Sequence, residues 1–408
     1  MTNGANEVSK LMPRARQADI AVIGAGIVGL AHAYEAARRG LSVVLFERNA
    51  RALGASIRNF GMILPLGMAP GAIHERAMRS REVWLEIAAQ AGIWHEQTGA
   101  LVLAYHDDEC AVLREFAGQA PVLGYPCTWL DADAVVRRSR AVQEEGLRGG
   151  LWSPVEVIVD PREAIAKLPA YLRRTYGVTL CFGTAVTSVA LPYVEAGGET
   201  WRVERAVVCS GADFETLYPA TFATSGLTRC KLQMMRTVPQ PGSWRLGPML
   251  ATGLSLRHYP AFASCPSLPA LERRIAQHHP ALDRWGIHVL VAQNGLGELV
   301  LGDSHEYGLT PEPFDHPEID ALILAYLETF LAVPSLEIAQ RWHGVYVKDP
   351  TRDVFLAEPE PGVRIVNGLG GTGMTTSFGL AQDVFADWEE ARHLDVPTSA
   401  IHSSSNNP

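Results

Sequence analysis

The stretch Asp19-Ile20-Ala21-Val22-Ile23-Gly24-Ala25-Gly26-Ile27-Val28-Gly29-Leu30 decides how this chain folds. Residues 19–23 are a short apolar run with β-branched side chains, which reads as a buried strand. Gly24, Gly26 and Gly29 then break it in the pattern G-x-G-x-x-G. Residues 30–39 are Ala-rich and helical, and Gly40 supplies a C-terminal stop. Residues 41–46 form a second buried strand that ends at Glu47. A strand, a helix and a strand in so short a span imply a parallel sheet, because parallel neighbours need a crossover of this kind.

Between a strand and a helix the hexapeptide has a physical meaning that it lacks alone. Gly24 permits the tight turn, Gly26 lets a pyrophosphate approach the backbone, and Gly29 lets the helix pack on the strand. Ile27 and Val28 open that helix, whose unpaired N–H groups and positive dipole end suit phosphates. Glu47 stands 18 positions beyond Gly29, where a carboxylate can accept hydrogen bonds from both ribose hydroxyls of an adenosine. It also repels a 2′-phosphate, so the unit favours FAD or NAD over NADP.

Further along, residues 71–92 read as a long amphipathic helix and 98–104 as a strand. Short helices are expected at 107–119 and 131–139. Asp160-Pro161 opens another helix, which runs to about Tyr176. Strands follow at 178–182, around Val186, and at 206–210, where Gly211 closes the run. Residues 230–237, 287–293 and 298–301 are strand-like, and 238–285 are rich in Pro and Gly and read as irregular. A helix is expected at 321–331, a last buried strand at 363–366, and a closing helix at 378–392.

At 408 residues the chain is long enough for two domains, or one with a large insertion, and needs no disulfide or metal staple. Lys and Arg number 35 against 44 Asp and Glu, a net charge of −9. That argues against a nucleic-acid or anionic-membrane binder, so an anionic ligand must meet local positive groups. The six cysteines (Cys110, Cys127, Cys181, Cys209, Cys230 and Cys265) form no CxxC pair, so reduced, buried thiols and no metal site are expected. Residues 1–18 have no apolar core of a signal peptide, and no run is long enough to span a membrane, which gives a cytoplasmic expectation.

Three separated segments carry a resemblance that spans residues 19–392. Gly54-Ala55-Ser56 follows Glu47 closely; Arg205-Ala206-Val207-Val208-Cys209-Ser210-Gly211-Ala212 forms a late strand; and residues 363–376, which include Gly370-Gly371-Thr372-Gly373-Met374-Thr375, form a C-terminal glycine-rich loop. Their order resembles the D-amino-acid oxidase and glycine/sarcosine oxidase superfamily. The resemblance implies an α/β fold with a Rossmann-type FAD-binding domain and a second, antiparallel-sheet (α+β) substrate domain. The FAD-binding domain is expected from 19–90, 150–228 and 336–395, the substrate domain from 91–149 and 229–335, and flexible tails at 1–18 and 396–408. Arg48 and Val186 join the glycines, Ile27, Val28, Glu47, Ala55, Ser56, Ser210, Gly211, Thr372, Met374 and Thr375 as the expected cofactor contacts.

A narrower likeness rests on Ser56-Ile57-Arg58-Asn59-Phe60-Gly61, on Cys230-Lys231-Leu232-Gln233-Met234-Met235-Arg236-Thr237, on Leu256-Arg257-His258-Tyr259-Pro260 and on Gly302-Asp303-Ser304-His305-Glu306-Tyr307. These resemble a branch linked to phosphonate breakdown, which oxidises 2-aminoethylphosphonate or its N-methyl form to phosphonoacetaldehyde. Trp342-His343-Gly344-Val345-Tyr346 aligns with the superfamily's Trp-x-Gly-x-Arg segment, whose Arg binds a substrate carboxylate bidentately. Tyr346 replaces that Arg and speaks for a different anion or a different amine. Arg58, Arg257, His258, Tyr259, His305, Tyr346 and Lys348 are the expected substrate contacts. His258, Tyr259, His305 and Tyr346 are the candidates for proton handling, and none is assigned as a base. Some relatives hold FAD through a C-terminal Cys; no Cys follows Cys265, so FAD is expected to be non-covalent. Where sarcosine oxidases carry an oxygen-assisting Lys, this chain has Val300 or Leu301, which leaves oxygen and other electron acceptors both open. The alternatives are a glycine, sarcosine or D-amino-acid oxidase, and a non-catalytic FAD-binding subunit of a larger complex.

Overall fold

The structure, a computed structural model, describes residues 15–394. Its first layer is a six-stranded sheet in the order Thr179–Phe182, Val43–Glu47, Ile20–Ile23, Arg205–Val208, Val363–Asn367, Phe355–Glu360. The first five strands run parallel and only the last pair is antiparallel. Ile20–Ile23 and Val43–Glu47 are buried along their whole length, as continuous apolar runs in a sheet covered on both faces must be. The helices Ile27–Arg38, Ala72–Ala91, Pro161–Tyr176 and Gly373–Leu394 cover one face. A small sheet, Val186–Ala190, Tyr193–Ala196 and Glu199–Arg202, covers the other through Val194 and Trp201. The expected helix at residue 160 is well specified. The Asp160 carboxylate accepts the Arg162 N–H at 2.9 Å, Pro161 fills the first turn, and Gly177 ends the helix at φ +72°.

The second layer is a nine-stranded sheet that runs from Glu306–Gly308 to Thr128–Asp131. It is antiparallel apart from Met249–Ala251, which pairs in parallel with Ala100–Ala104. Its longest pairing joins Thr228–Thr237 to Ile338–Lys348. A separate hydrophobic core packs behind it, around Leu103, Phe116, Leu250 and Phe262. Among the described residues no helix is long and apolar enough to cross a membrane. The six thiols are all free, five buried and Cys181 half-buried.

Several elements depart from the sequence expectations. Gly149–Ser153 and Ile338–Lys348, placed by sequence in the FAD-binding segments, are strands of the nine-stranded sheet. Pairing partners decide this: Ala100–Ala104 and Thr128–Asp131 both need Gly149–Ser153 between them. Residues 238–285 are more regular than their Pro and Gly content suggests. They hold the strand Met249–Ala251 and the helices Leu268–His278 and Pro280–Arg284, whose prolines sit in the first turn, where a missing N–H costs nothing. The helix expected at 321–331 runs Pro317–Leu327 for the same reason. The expected flexible tails lie mostly outside the described residues; within 15–18, Arg16–Gln17 pairs with Trp201 and Arg202 as a strand.

Candidate functional site

The glycine turn is built as tightly as its sequence implies. Gly24 adopts φ +103°, and a Cβ there would lie 2.3 Å from the Cys209 carbonyl oxygen. A Cβ on Gly29 would lie 1.8 Å from the Gly24 oxygen, so helix and turn touch backbone to backbone. Glu47 is buried beneath this turn. One of its oxygens accepts the Ala25 N–H at 3.1 Å and the other the Asn49 N–H at 3.0 Å. Ser56 Oγ accepts the Ile27 N–H at 2.9 Å. Ser56 thus stands against the helix start, and Gly54 and Ala55 line the same space.

The other two segments close on the same space. Arg48 pairs with Asp213 at 2.7 Å beside Ser210 and Gly211, and Asn367 Nδ2 donates to the Gly211 carbonyl at 2.8 Å, tying the late strand to the C-terminal one. Gly370 turns at φ +61°. Beyond it the side chains are engaged by the protein. Thr375 Oγ1 accepts the Leu64 N–H at 3.0 Å, and the Met374 carbonyl accepts Trp84 Nε1–H at 2.7 Å. Gly371, Thr372 and Gly373 lead directly into the helix Gly373–Leu394, so its N-terminal end faces the space.

Together these segments enclose a cavity of about 600 Å³ between the two sheets. Every expected cofactor residue lines it, Val28 and Val186 included. Of the expected substrate residues, Arg58, His258, Tyr259, His305, Tyr346 and Lys348 line it as well. Arg257 does not. Its guanidinium turns to Asp283 and lines a neighbouring depression, which His258, Tyr259 and Pro260 also border. Arg58 also donates to the His343 carbonyl at 3.1 Å, which fixes it against the strand that carries Tyr346.

Tyr346 marks where the two halves meet. A Cβ on Gly371 would lie 3.9 Å from its ring, and the His305 ring is 6.3 Å from it, centroid to centroid. Behind His305 stand His258 and His288, with ring centroids 5.3 and 5.0 Å from it and 4.3 Å from each other. Their donor atoms all lie within 4.8 Å of one another. Asp303 sits 3.1 Å from His288 Nε2, and His305 Nδ1 is 2.8 Å from the Gly286 carbonyl. Burial, then the neighbouring imidazoles and the Arg257 and Lys348 cations, push His258 far below its ordinary value. His305 is also lowered, by burial first, although Asp303 opposes this. Burial holds the Tyr259 and Tyr346 phenols well above their ordinary value.

Sequence reasoning singled out neither His288 nor Asp303 as part of this cavity. One signal was available: Asp303, His305 and Tyr307 alternate, and in an extended segment they share a face. His288 lies directly across from Asp303, and the two exchange backbone hydrogen bonds at 3.2 and 2.8 Å. That pairing cannot be read from spacing.

Comparison with known proteins agrees with this geometry. The family model described as FAD dependent oxidoreductase (DAO) matches residues 19–388. Glycine oxidase of Geobacillus kaustophilus (strain HTA426) is 25% identical over 208 residues, which cover 48% of this chain and 54% of the relative. The chain therefore spans about half the length of this curated relative. The crystal structure of glycine oxidase from Geobacillus kaustophilus superposes with a TM-score of 0.73 at 19% identity, covering 92% of this chain and 95% of that one. L-alpha-glycerophosphate oxidase from Mycoplasma pneumoniae, solved with FAD bound, superposes with a TM-score of 0.70 at 18% identity, covering 91% and 94%.

Proposed function

The chain belongs to the family of FAD-dependent oxidoreductases, and on that premise we propose that it oxidises a small amine carrying a tetrahedral anion. The best-supported substrate is 2-aminoethylphosphonate or its N-methyl form, converted to phosphonoacetaldehyde with release of ammonia or methylamine. The observation that carries this reading is Tyr346, which stands where the superfamily resemblance expects a carboxylate-binding Arg, in a cavity whose other polar walls are His258, His305, Lys348 and Arg58. A planar carboxylate is best met by a planar guanidinium fork. A phosphonate has three oxygens pointing in different directions, and donors arriving from several strands suit it better. The names of two relatives carry a tetrahedral anion, on an alcohol rather than an amine: an oxidase of L-alpha-glycerophosphate shares the fold, and a glycerol 3-phosphate dehydrogenase of Caloramator mitchellensis is 24% identical over 148 residues.

The residues fit FAD. Gly24 and Gly29 leave no room for a side chain, Glu47 lies under the turn for the ribose, and the helix starts at Ile27 and Gly373 offer N–H groups to the phosphates and the ring system. When bound, FAD supplies the oxidising power, accepting a hydride equivalent from the carbon that bears the amine. The chain's own part is to hold that carbon in one orientation, to keep the site dry and to meet the anion. The raised Tyr259 and Tyr346 phenols remain protonated and donate hydrogen bonds. The His258 and His305 imidazoles, kept uncharged chiefly by burial, can accept a hydrogen bond from the amine. Hydrolysis of the product imine by water would release the aldehyde with ammonia or methylamine. The C-terminal Cys attachment of some relatives has no counterpart here, since no Cys follows Cys265, and we take FAD to be held without a covalent bond.

The glycine oxidase likeness favours a second reading, oxidation of glycine, sarcosine or a D-amino acid; the residue at 346 counts against it. One experiment separates the two: anaerobic flavin reduction by 2-aminoethylphosphonate, its N-methyl form, glycine, sarcosine and D-alanine. Fast bleaching by an aminophosphonate is expected. Preference for glycine or sarcosine would move the assignment to the second reading, and no bleaching by any of them would point to a non-catalytic FAD-binding subunit.

A further inference from the structure

Four groups of the cavity stand together: the imidazoles of His258, His288 and His305, and the Asp303 carboxylate. They come from three places in the chain. The His258 segment follows the short helix Gly253–Leu256, and His288 and Asp303 face each other across a backbone pairing. Each imidazole has one side anchored or enclosed. His305 Nδ1 reaches the Gly286 carbonyl at 2.8 Å, which leaves Nε2 as its free atom. His288 is bracketed by Ser255 Oγ at 3.3 Å and Asp303 at 3.1 Å. His258 Nε2 is buried and has no hydrogen-bond partner among the described residues. A buried, unpartnered ring nitrogen in a cavity wall is costly unless a ligand completes it.

The charges around the cluster indicate which ligand. Lys348 lines the same wall and has no carboxylate partner among the described residues, and Arg257 lies behind His258, paired with Asp283. The other titratable groups that face the cluster are Tyr259, Tyr307 and Tyr346 and, beyond them, the Cys230 thiol. With uncharged imidazoles, Asp303 and Lys348 cancel. Lys348 and Arg257 nevertheless act on His258 as positive charges, so at that ring a divalent cation is repelled and an anion attracted. A dianion entering this balance leaves negative charge in a partly buried space, and the imidazoles are the groups that can absorb a proton there.

Resting on the functional reading above, and extending it, we propose that the His258–His288–His305 cluster, backed by Asp303, is a proton-loading receptor for the substrate's tetrahedral dianion, so that binding of the dianion draws a proton onto the imidazoles. The proton has a source, either solvent or the ammonium of the arriving amine, and a defined destination, a ring nitrogen that becomes an N–H donor to a phosphonate oxygen. Asp303 holds the positive charge in place through His288. The carboxylate is fit for this: burial works against its charge, but the facing imidazoles and hydrogen bonds keep it ionised, below its ordinary range. The arrangement selects for charge as well as shape: with Lys348 offset by Asp303, a dianion leaves two uncompensated negative charges and a monoanion only one, so the dianion draws the proton more strongly.

The test uses the flavin-loaded enzyme and ethylphosphonate, which has no amine and cannot be oxidised. Calorimetric titration at about pH 8, in buffers of different ionisation enthalpy, is expected to show between half and one proton taken up per ethylphosphonate bound, after correction for the ligand's own ionisation. Ethanesulfonate, a monoanion of similar shape, is expected to take up clearly less and to bind at least ten-fold more weakly. His258→Gln keeps a hydrogen-bonding side chain but removes one of the three imidazoles, so uptake should fall below the wild-type count while flavin content stays near one per chain. Should that variant fail to fold, the wild-type proton count decides alone. Ethylphosphonate binding without uptake overturns the proposal, and so does no binding at all. So does tight one-to-one zinc binding that ethylphosphonate does not disturb, which would make the cluster a metal site. Flavin bleaching by 2-aminoethylphosphonate in any of those cases would leave the functional reading standing. Proton-coupled binding without bleaching would leave the receptor and remove the substrate assignment.

Discussion

Glu47 holds the N–H of Ala25 at 3.1 Å, so the acid expected to clasp a ribose also ties down the glycine turn that receives the phosphates. Its other oxygen is occupied in part by Asn49, and a carboxylate has lone pairs to spare for both tasks. Glu47→Ala removes both functions at once. Hydrogen bonds to a charged group contribute roughly 1.5–3 kcal/mol each, so FAD affinity should fall at least ten-fold. Glu47→Gln keeps an acceptor for Ala25 and should fall less. The flavin-to-protein ratio after gel filtration measures this; unchanged occupancy in Glu47→Ala would remove the ribose role.

Gly29→Ala places a methyl group 1.8 Å from the Gly24 oxygen, a contact that neither a rotamer change nor a small backbone shift relieves. The variant should give little soluble protein and no bound flavin. A yellow, soluble Gly29→Ala protein would show that helix and turn do not meet as described. In the wild type, acid precipitation should release the yellow colour into the supernatant, and colour kept in the pellet would reveal a covalent bond.

Tyr346→Phe removes one phenolic donor from the place where the flavin loop meets the histidine cluster. A ten- to hundred-fold fall in kcat/KM for an aminophosphonate is expected, the range for one hydrogen bond to a charged partner, roughly 1.5–3 kcal/mol. Tyr346→Arg should move the ratio of kcat/KM values toward glycine. Steady-state kinetics on both substrates decides; a Phe variant with wild-type kinetics would place the anion elsewhere in the cavity.

Glu156 gives a pH prediction away from the cavity. It is fully buried, accepts the Leu66 N–H at 3.2 Å, and burial pushes its carboxyl up to about 7 from an ordinary 4.5. A raised acid binds its proton more tightly in the folded state. Its stabilising effect is therefore complete below about pH 4.5 and is lost as pH climbs toward 7, a change of roughly 3 kcal/mol at most. Glu156→Gln should flatten this part of the stability curve and raise Tm by a few degrees at pH 8 relative to wild type. Parallel curves for the two proteins would mean that Glu156 does not titrate in this window.

The nucleotide half was legible because local sequence encodes it. The run from Ile20 to Glu47 contains its own strand, turn, helix and acid, and Ser210-Gly211 and Gly370-Gly371 announce themselves as glycine breaks after apolar strands. The substrate half was read less well, for physical reasons. Ile338–Lys348 is a long strand with mostly exposed or half-buried residues, so it has little apolar alternation to betray it. Arg257 was expected in the cavity because it adjoins His258, yet neighbours in an irregular segment need not share a direction. His288 looked like any histidine in an apolar strand until its pairing set it against Asp303.

The central parallel sheet seats its last-made strand, Val363–Asn367, beside Arg205–Val208 near the middle. A nascent chain that has left the ribosome only as far as residue 350 has the glycine turn and Glu47 but neither that strand nor the loop at 370–373. Coenzyme loading should therefore be a late event in biosynthesis, and chains stalled at that length should come away colourless.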